Sequence, residues 1–291
     1  MAQGASAKMF RHKKVTGEVI DQLRRAWHGR VAGRSLAWLV LTAVVGGGGM
    51  LVIGATLASA ELYDGVVEQD GVAELDRPVL QWIVERRTPA LDTWVTRYTD
   101  LGSAPYLTPI VVAAALLLCW WWRRWTPALL LTIAAAGSVL MTVIGKDLAD
   151  RVRPPQSLAV APFETSPAFP SGHALNSWVL LILIAYLIAA RTSSRVLTIG
   201  APAVAVVLAA AMGLSRVYLG HHWLTDVMVG WTLGTAWLAV IFTGHRLALL
   251  VASARRSKAR RPRDPTLGRQ ADRSSARTCG RGPGTRGQPL D

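Results

Sequence analysis

Cysteine is almost absent from this chain of 291 residues. The two cysteines are Cys119, in an apolar run, and Cys279, in a basic tail. Two thiols in these places build neither a disulfide framework nor a cysteine-based metal site. Acidic residues are also scarce, 18 against 32 lysines and arginines, and they form no cluster of the kind that holds a magnesium ion.

Charge is missing altogether from six long runs, which contain 17 to 26 residues each. A helix needs about 20 residues, with a range of roughly 17 to 25, to cross the hydrocarbon core of a bilayer. Buried helices of a soluble protein are the alternative for the shortest runs, but six runs with 51% hydrophobic residues overall argue against it. We predict an all-α integral membrane bundle of six transmembrane helices within residues 35–245. The runs are residues 35–60, 105–122, 125–145, 174–190, 196–214 and 227–244.

The distribution of lysine and arginine predicts the orientation of these spans. If the N-terminus is cytoplasmic, the inner segments hold 24 Lys and Arg against 5 Asp and Glu, and the outer segments hold 8 against 13. Lysine and arginine concentrate on the cytoplasmic side of membrane proteins. We therefore expect a multi-pass protein of the cell membrane with both termini in the cytoplasm.

Two basic tails, residues 1–34 and 246–291, flank the predicted spans. A nucleic-acid-binding role would suit their charge, but lysine and arginine next to spans are better explained as topology determinants that rest on anionic lipid headgroups. Residues 254–291 have too few apolar side chains to fold, so we predict a disordered tail there. We expect membrane lipids as partners and no nucleic acid.

The end of the first apolar run, Ala58-Ser59-Ala60, resembles a signal-peptidase site. The run is longer than the apolar region of a signal peptide, which has about 7 to 15 residues. We therefore expect an uncleaved first span, with cleavage as the alternative.

The long outer connection, residues 61–104, has apolar residues at helical spacing in two groups. This spacing predicts two short amphipathic helices. They would lie either in the membrane interface or against the bundle, and in both cases beside a site on the outer face. The groups are Leu75, Val79, Trp82 and Ile83, then Leu91, Trp94, Val95, Tyr98 and Leu101.

An ionisable cluster, Ser215–Asp226, stands between the last two spans on the predicted outer side. Ionisable residues beside hydrocarbon are functional-site candidates because their charge needs compensation there. His222 and Asp226 are four residues apart, so on a helix they share a face and the carboxylate orients one imidazole nitrogen. The other nitrogen is then free to act as nucleophile or base. Arg216 offers donors suited to a phosphate or a carboxylate.

A second outer segment follows the third span and contains Lys146 and Arg153. These residues are seven apart, which is two helical turns, so a helix would direct both cations to one place. Pro154-Pro155 would then end the helix. Basic residues on an outer face run against the usual charge distribution, so this pair needs a functional reason.

A third outer segment, Pro170-Ser171-Gly172-His173, precedes the fourth span. The N-terminus of a helix offers unpaired N–H groups and a positive dipole end to an anion. Ser171 adds a hydroxyl donor, and Gly172 permits close approach of the backbone to a ligand. His173 is placed to give a proton to a departing oxygen. Taken alone, this segment is better explained as a simple helix cap.

Several nearby residues are interpreted as lying outside the site. His221 would point about 100° away from His222 on a helix, which makes it a structural or interfacial histidine. Asn176 and Ser177 either line the cavity or form hydrogen bonds between helices. The remaining charges, Asp147, Asp150 and Arg151, are most simply solvated loop charges.

Together, the three segments resemble the signature of the type 2 phosphatidic acid phosphatase family, which shares its active site with vanadium-dependent haloperoxidases. The resemblance covers roughly residues 35–245 and excludes both tails. Its specificity is high because all of the spacings are met at once. The matching positions are Lys146, Arg153 and Pro154, then Pro170, Ser171, Gly172 and His173, then Ser215, Arg216, His222 and Asp226.

The resemblance implies a mechanism. His222 would attack phosphorus and form a phosphohistidine, Asp226 would orient it, and His173 would protonate the leaving group. The phosphate oxygens would be bound by the remaining residues of the signature, with cations in the place of a metal ion, so neither a metal nor a cofactor is implied. The phosphate-binding residues would be Lys146, Arg153, Ser171, Gly172 and Arg216.

A site at the outer membrane surface suits a lipid substrate. The resemblance implies hydrolysis of a lipid phosphomonoester or diphosphate, and the candidates are isoprenyl diphosphates such as undecaprenyl diphosphate, phosphatidic acid and phosphatidylglycerol phosphate. An anion or lipid transporter is the alternative, but it would place its charges near the midplane and often in repeated halves, and the sequence has no internal repeat. A soluble haloperoxidase would not have six spans.

Overall fold

The structure, a computed structural model, describes residues 38–259. Within that range the regular structure is helical, with eight α-helices and two short 3-10 turns. The predictions made for residues 1–34, for Cys279 and for residues 260–291 of the tail fall outside the described residues. The helices are α1 Trp38–Glu68, α2 Asp76–Val84, α3 Pro89–Asp100, α4 Ala104–Trp122, α5 Thr126–Ala149, α6 Gly172–Arg191, α7 Arg195–Tyr218 and α8 Leu224–Ala259.

Six of these helices, α1 and α4 to α8, are long and apolar enough to cross a membrane. Each corresponds to one of the six charge-free runs of the sequence, so the prediction of an all-α protein with six spans is confirmed. The first helix continues beyond the predicted end at Ala60 to Glu68. Its added turns carry the acidic residues Glu61, Asp64 and Glu68.

The core of the bundle lies around α6, which packs against α4, α5 and α7. Leu175, Val179, Leu183 and Leu187 of α6 are fully buried. They recur at intervals of four residues and therefore form one stripe on the helix. Apolar residues of the neighbouring helices belong to the same core, and the buried ones are Leu107, Leu118, Leu131, Ala134, Leu238 and Ile241.

Helices α2 and α3 confirm the two short helices predicted between the first two spans, and both pack against the bundle. Val79 and Ile83 of α2 contact a buried cluster that contains Val217 of α7. The Tyr98 hydroxyl of α3 donates a hydrogen bond of 2.6 Å to the carbonyl of Leu208. Of the two alternatives, the structure therefore shows packing on the bundle.

The end of α5 differs from the prediction. The helix stops at Ala149, and Asp150 has the left-handed conformation, with a φ of 39°. Arg153 therefore does not lie on the helix that carries Lys146, and the prediction that two helical turns connect them was wrong. Aspartate tolerates the left-handed conformation better than most residues, which explains why the helix ends before Pro154-Pro155 forces it to.

The end of the bundle differs as well. The last helix runs to Ala259, whereas the sequence predicted a span that ends at Gly244 and a disordered tail from residue 254. Residues 246–259, assigned to the tail, are helical. Their sequence contains alanine, leucine, arginine and lysine, all of which are good helix formers, so a helix persists beyond the apolar run.

Gly145 allows α5 to pack closely against the loop before α6. A β-carbon at this position would lie 2.5 Å from Cδ of Pro170, so one of the two segments would have to move. We expect Gly145→Ala to destabilise the fold by about 1–3 kcal/mol, as other overpacked sites do. Thermal unfolding in detergent measures this effect.

Gly200 of α7 provides the matched control, because nothing lies within 4 Å of a β-carbon built there. Gly200→Ala should raise stability slightly, since alanine favours the helix by about 1 kcal/mol. Equal behaviour of the two variants would contradict the close contact at Pro170.

Candidate active site

The three predicted segments meet at one end of the bundle, although they are far apart in the sequence. The end of α5 contributes Lys146, and the loop of residues 150–171 that follows contributes Arg153. The first turn of α6 contributes Gly172 and His173, and the end of α7 contributes Arg216. His222 and Asp226 come from the turn before α8 and from its first turn.

Lys146 and Arg153 converge on one stretch of the loop despite the break in the helix. Lys146 Nζ donates to Ser166 Oγ at 2.6 Å and to the carbonyl of Pro167 at 2.9 Å. Arg153 Nε donates to the carbonyl of Ser166 at 2.6 Å. Burial lowers the pKa of Arg153, although Glu164 opposes the shift. The two cations therefore lie side by side in a partly desolvated site.

Arg216 is buried and forms an ion pair with Glu164, a residue that the sequence analysis did not single out. Its NH2 group donates to Glu164 Oε1 at 2.6 Å, and Glu164 Oε2 lies 4.0 Å from Arg153 NH2. Burial favours the neutral carboxyl, but Arg216 and Arg153 outweigh it and lower the pKa of Glu164. An ionised carboxylate thus occupies the space between the two arginines.

His222 is 2% exposed and lies in the turn between α7 and α8. Its Nε2 atom is 3.4 Å from Arg153 NH1, so this nitrogen faces the cations. Burial, followed by the charges of Arg153 and Arg216, lowers the pKa of His222 well below its ordinary value. The imidazole is therefore neutral at physiological pH, and a neutral imidazole has an unprotonated nitrogen.

Asp226 lies in the first turn of α8 and is fully buried. Its Oδ2 atom accepts a hydrogen bond of 2.8 Å from the N–H of Trp223 and lies 3.4 Å from His222 Nδ1. The latter distance exceeds an ordinary hydrogen bond, and catalytic contacts are often this long before substrate binds. Because His222 precedes α8, the predicted shared helical face is wrong, and the turn itself brings the two side chains together.

Arg151 is not the solvated loop charge that the sequence suggested. Its NH1 group donates to Asp226 Oδ1 at 2.5 Å, and its NH2 group donates to Asp76 Oδ2 at 2.6 Å. The side chain is only 12% exposed. No local pattern in the sequence indicates this contact, because Asp76 lies 75 residues before Arg151 in the chain.

Ser171 joins the start of α6 to α8. Its N–H donates to the carbonyl of Asp226 at 3.1 Å, and its hydroxyl accepts from the N–H of Ala174 at 3.4 Å, which caps the helix. Among the described residues, no hydrogen bond is formed by the N–H groups of Gly172 and His173. These are the unpaired first-turn donors that an anion binds.

His173 completes the group. It interacts electrostatically with Arg216, His222 and Glu164, so the two histidines belong to one site. Its ring lies against Gly102, where an added β-carbon would be 2.9 Å from His173 Cδ2. Gly172 serves packing as well as ligand access, because a β-carbon there would lie 3.1 Å from Thr142 Cγ2.

His221 and Ser177, which the sequence analysis left outside the site, have structural contacts. His221 is buried, with Nε2 2.7 Å from the carbonyl of Val160 in the loop. The Ser177 hydroxyl donates to the carbonyl of His173 at 2.6 Å. Asp147 and Asp150 are exposed. Across residues 38–259, no group of three or more His, Cys, Asp or Glu has the arrangement of a metal site.

A bundle of membrane-spanning helices that holds a neutral histidine among three cations defines a membrane-embedded anion site. Comparison with known proteins identifies the family to which such a site belongs. The model of the PAP2 superfamily matches residues 125–249. Phosphatidylglycerophosphatase B of Bacillus subtilis (strain 168) is 31% identical over 173 residues, which are 58% of this chain and 82% of the relative.

A solved structure gives the same result. The crystal structure of a transmembrane PAP2-type phosphatidylglycerolphosphate phosphatase from Bacillus subtilis matches with a TM-score of 0.60 and 28% identity, over 65% of this chain and 93% of that one. Aquifex aeolicus LpxE matches with a TM-score of 0.47 and 21% identity, over 58% and 94% of the two chains. This chain belongs to the PAP2 superfamily, the type 2 phosphatidic acid phosphatases. It is a multi-pass membrane enzyme that hydrolyses phosphoric esters.

The ion pair of Glu164 with Arg216 predicts competition between the carboxylate and a bound phosphate. Glu164→Gln keeps the size of the side chain and removes its charge, so the arginine becomes free for an anion. The Glu164 side chain is 38% exposed, and partly exposed pairs are weak, so inorganic phosphate should inhibit the variant at about two- to fivefold lower concentration.

The control is Glu85→Gln, which removes a carboxylate from the exposed pair of Glu85 and Arg86 and should leave phosphate inhibition unchanged. Unchanged or weaker inhibition of the Glu164 variant would show that the carboxylate does not occupy the phosphate position.

Proposed function

We propose that this membrane phosphatase removes phosphate from a lipid phosphomonoester or diphosphate through a phosphohistidine on His222. One observation carries the proposal: a neutral, buried imidazole directs Nε2 toward Arg153, beside the place where the Glu164 carboxylate is bound by Arg216. A carboxylate and a phosphate oxygen bind the same arginine donors. The site is therefore suited to hold a phosphate next to the nucleophile.

The reaction has two steps. In the first, His222 Nε2 forms a bond to phosphorus, the bond from phosphorus to the leaving oxygen breaks, and His173 transfers its proton to that oxygen. In the second, water attacks phosphorus, His173 takes up a proton from the water, and the bond from phosphorus to nitrogen breaks. Asp226 lies beside Nδ1 of His222 and stabilises the charge that the imidazole acquires when it is phosphorylated.

The cations stabilise the charge on the phosphoryl oxygens, which is the main requirement of phosphoryl transfer. Arg153 and Arg216 already share one carboxylate, and Lys146 lies next to Arg153 through their common contacts with Ser166 and Pro167. The unpaired N–H groups of Gly172 and His173 and the hydroxyl of Ser171 supply neutral donors beside them.

A lipid substrate is supported by an apolar groove between α4, α5 and α6 that reaches the site. The groove has a volume of about 650 Å³ and is bordered by Gly102, which contacts the ring of His173, and by Asn176, one turn into α6. A hydrocarbon chain in this groove would place its phosphate at the histidine. The other lining residues are mainly apolar and include Leu107, Val111, Leu131, Val139 and Leu180.

Phosphatidylglycerol phosphate is the first substrate to test, because the curated relative and the solved structure from Bacillus subtilis bear the name of phosphatases that act on it. Isoprenyl diphosphates such as undecaprenyl diphosphate, and phosphatidic acid, present the same phosphate chemistry. We further propose that residues 35–245 form the catalytic domain. The excess of lysine and arginine in the inner segments supports cytoplasmic termini and an active site on the extracytoplasmic side.

The two histidine roles predict different dependence on the leaving group. His222→Ala should lower kcat by roughly a thousandfold or more for every substrate, because the nucleophile is lost. His173→Ala should lower kcat by about 10²- to 10⁴-fold for an alkyl phosphate such as a lipid, which needs a proton on its leaving oxygen. An aryl phosphate with an acidic leaving group needs no such proton, so its phosphohistidine should still form and accumulate in the His173 variant.

Phosphate release from phosphatidylglycerol phosphate and from p-nitrophenyl phosphate, with acid-quench detection of the phosphoenzyme, measures these effects in detergent after treatment with a chelator. If His222→Ala keeps turnover within a few-fold of the parent, the nucleophile is another group. Failure of the phosphoenzyme to form from p-nitrophenyl phosphate in His173→Ala would contradict the role of His173 as the acid for the leaving group.

A further inference from the structure

The carboxylate of Asp226 is held by a buried network that extends to the connection between α1 and α4. Arg151 donates to Asp226 Oδ1 at 2.5 Å and to Asp76 Oδ2 at 2.6 Å. The Trp223 N–H occupies the other oxygen of Asp226. These two donors determine how the Asp226 carboxylate is turned, because Arg151 binds Oδ1 and the Trp223 N–H binds Oδ2, the oxygen that lies 3.4 Å from His222 Nδ1.

Thr225 closes the network into a ring. Its N–H donates to Asp76 Oδ1 at 2.9 Å, and its hydroxyl donates to Asp76 Oδ2 at 2.6 Å. The same hydroxyl accepts from Arg151 NH1 at 2.8 Å. One hydroxyl proton suffices for this arrangement, because the oxygen acts once as donor and once as acceptor. The start of α2, the segment after α5 and the start of α8 are thereby joined.

Burial makes the members of the ring interdependent. Asp226 and Thr225 are 0% exposed and Asp76 is 3% exposed. Two buried carboxylates share the single guanidinium of Arg151, and a buried charge that loses its partner is strongly destabilised. Without Arg151, the ionised form of Asp226 would have no cation in contact. His222 would then lose the negative charge that stabilises its phosphorylated imidazolium.

Asp76 also determines where the Arg151 side chain lies. Arg151 lies only two residues before Arg153, which contacts the His222 side of the site. The ion pair with Asp76 and the packing of the Arg151 guanidinium 5.8 Å from the Trp223 ring hold Arg151 at Oδ1 of Asp226, whereas His222 lies beside Oδ2. Arg151 therefore binds the carboxylates of Asp226 and Asp76, whereas Arg153 lies with Lys146 and Arg216 in the proposed anion pocket.

We propose that Arg151 and Asp76 are positioning residues for the phosphatase reaction, which keep the Asp226 carboxylate ionised and turned toward His222. The proposal rests on the assignment of His222 as nucleophile and Asp226 as its partner. It assigns a function to the segment between α1 and α4 beyond covering the site, because Asp76 is the first residue of α2.

The test compares Arg151→Met, Arg151→Lys and Asp76→Asn in the full-length protein with p-nitrophenyl phosphate. Arg151→Met and Asp76→Asn should lower kcat roughly 10- to 100-fold, as loss of partners behind a functional residue commonly does. Inhibition by inorganic phosphate should change less than about threefold, because the anion pocket is untouched. Arg151→Lys should retain more activity than Arg151→Met, since an ammonium can still pair with one carboxylate.

Two comparisons separate positioning from a general effect on folding. Arg86→Met removes an arginine from the exposed pair with Glu85 and should leave kcat unchanged. Asp226→Asn should lower kcat by itself, and addition of Arg151→Met to it should cause little further loss, because Arg151 acts through Asp226. Size-exclusion chromatography and thermal unfolding establish whether each variant is folded. If Arg151→Met does not fold, the kcat values of Asp76→Asn and Arg151→Lys test the positioning role instead.

Three results would overturn the proposal. Turnover of Arg151→Lys and Asp76→Asn equal to that of the parent would show that the ring has no role in the reaction. A parallel loss of kcat and of phosphate inhibition would place Arg151 in the anion pocket. An undiminished effect of Arg151→Met in the Asp226→Asn background would show independent action. Failure of the proposed function is distinct from these results, because it would appear as normal turnover of His222→Ala.

Discussion

Mutual repulsion among three cations is the constraint on which this site depends. Arg153 and Arg216 are 13% and 4% exposed, and Lys146 lies beside Arg153. Positive charges repel one another strongly where they are shielded from water, and they are stable there only when negative groups pair with them. Glu164 supplies such a partner from the loop before α6. In the proposed function, a phosphate would replace this carboxylate and restore the balance of charge.

The same constraint explains the form of the fold around the site. Each charged group comes from a helix end or a loop, where the backbone leaves the bundle, while α6 supplies the fully buried apolar stripe beneath. Ser171 joins α6 to α8 through the carbonyl of Asp226, and Gly145 brings α5 against Pro170. Close helix packing thus determines the spacing of groups that belong to distant parts of the chain.

The sequence was sufficient for the six spans, because the length of each charge-free run matches the thickness of a bilayer. It was also sufficient to group His173, Arg216 and His222, because their spacing matches a known signature. It could not indicate Glu164, whose partner Arg216 lies 52 residues away, or Asp76, whose partners lie 75 to 149 residues away. Contacts at such separations leave no local periodicity. The sequence did not indicate the end of α5 at Ala149, because the residues up to Arg153 are compatible with a helix. In the structure Asp150 instead adopts the left-handed conformation and ends it.

The most direct test is a structure of the protein with bound vanadate, which mimics the phosphoryl group in the transition state of its transfer. The account predicts vanadium bonded to Nε2 of His222, with its oxygens bound by Arg153 and Arg216 and with the Glu164 carboxylate displaced. Vanadate bound away from His222, or bound while Glu164 still pairs with Arg216, would contradict it.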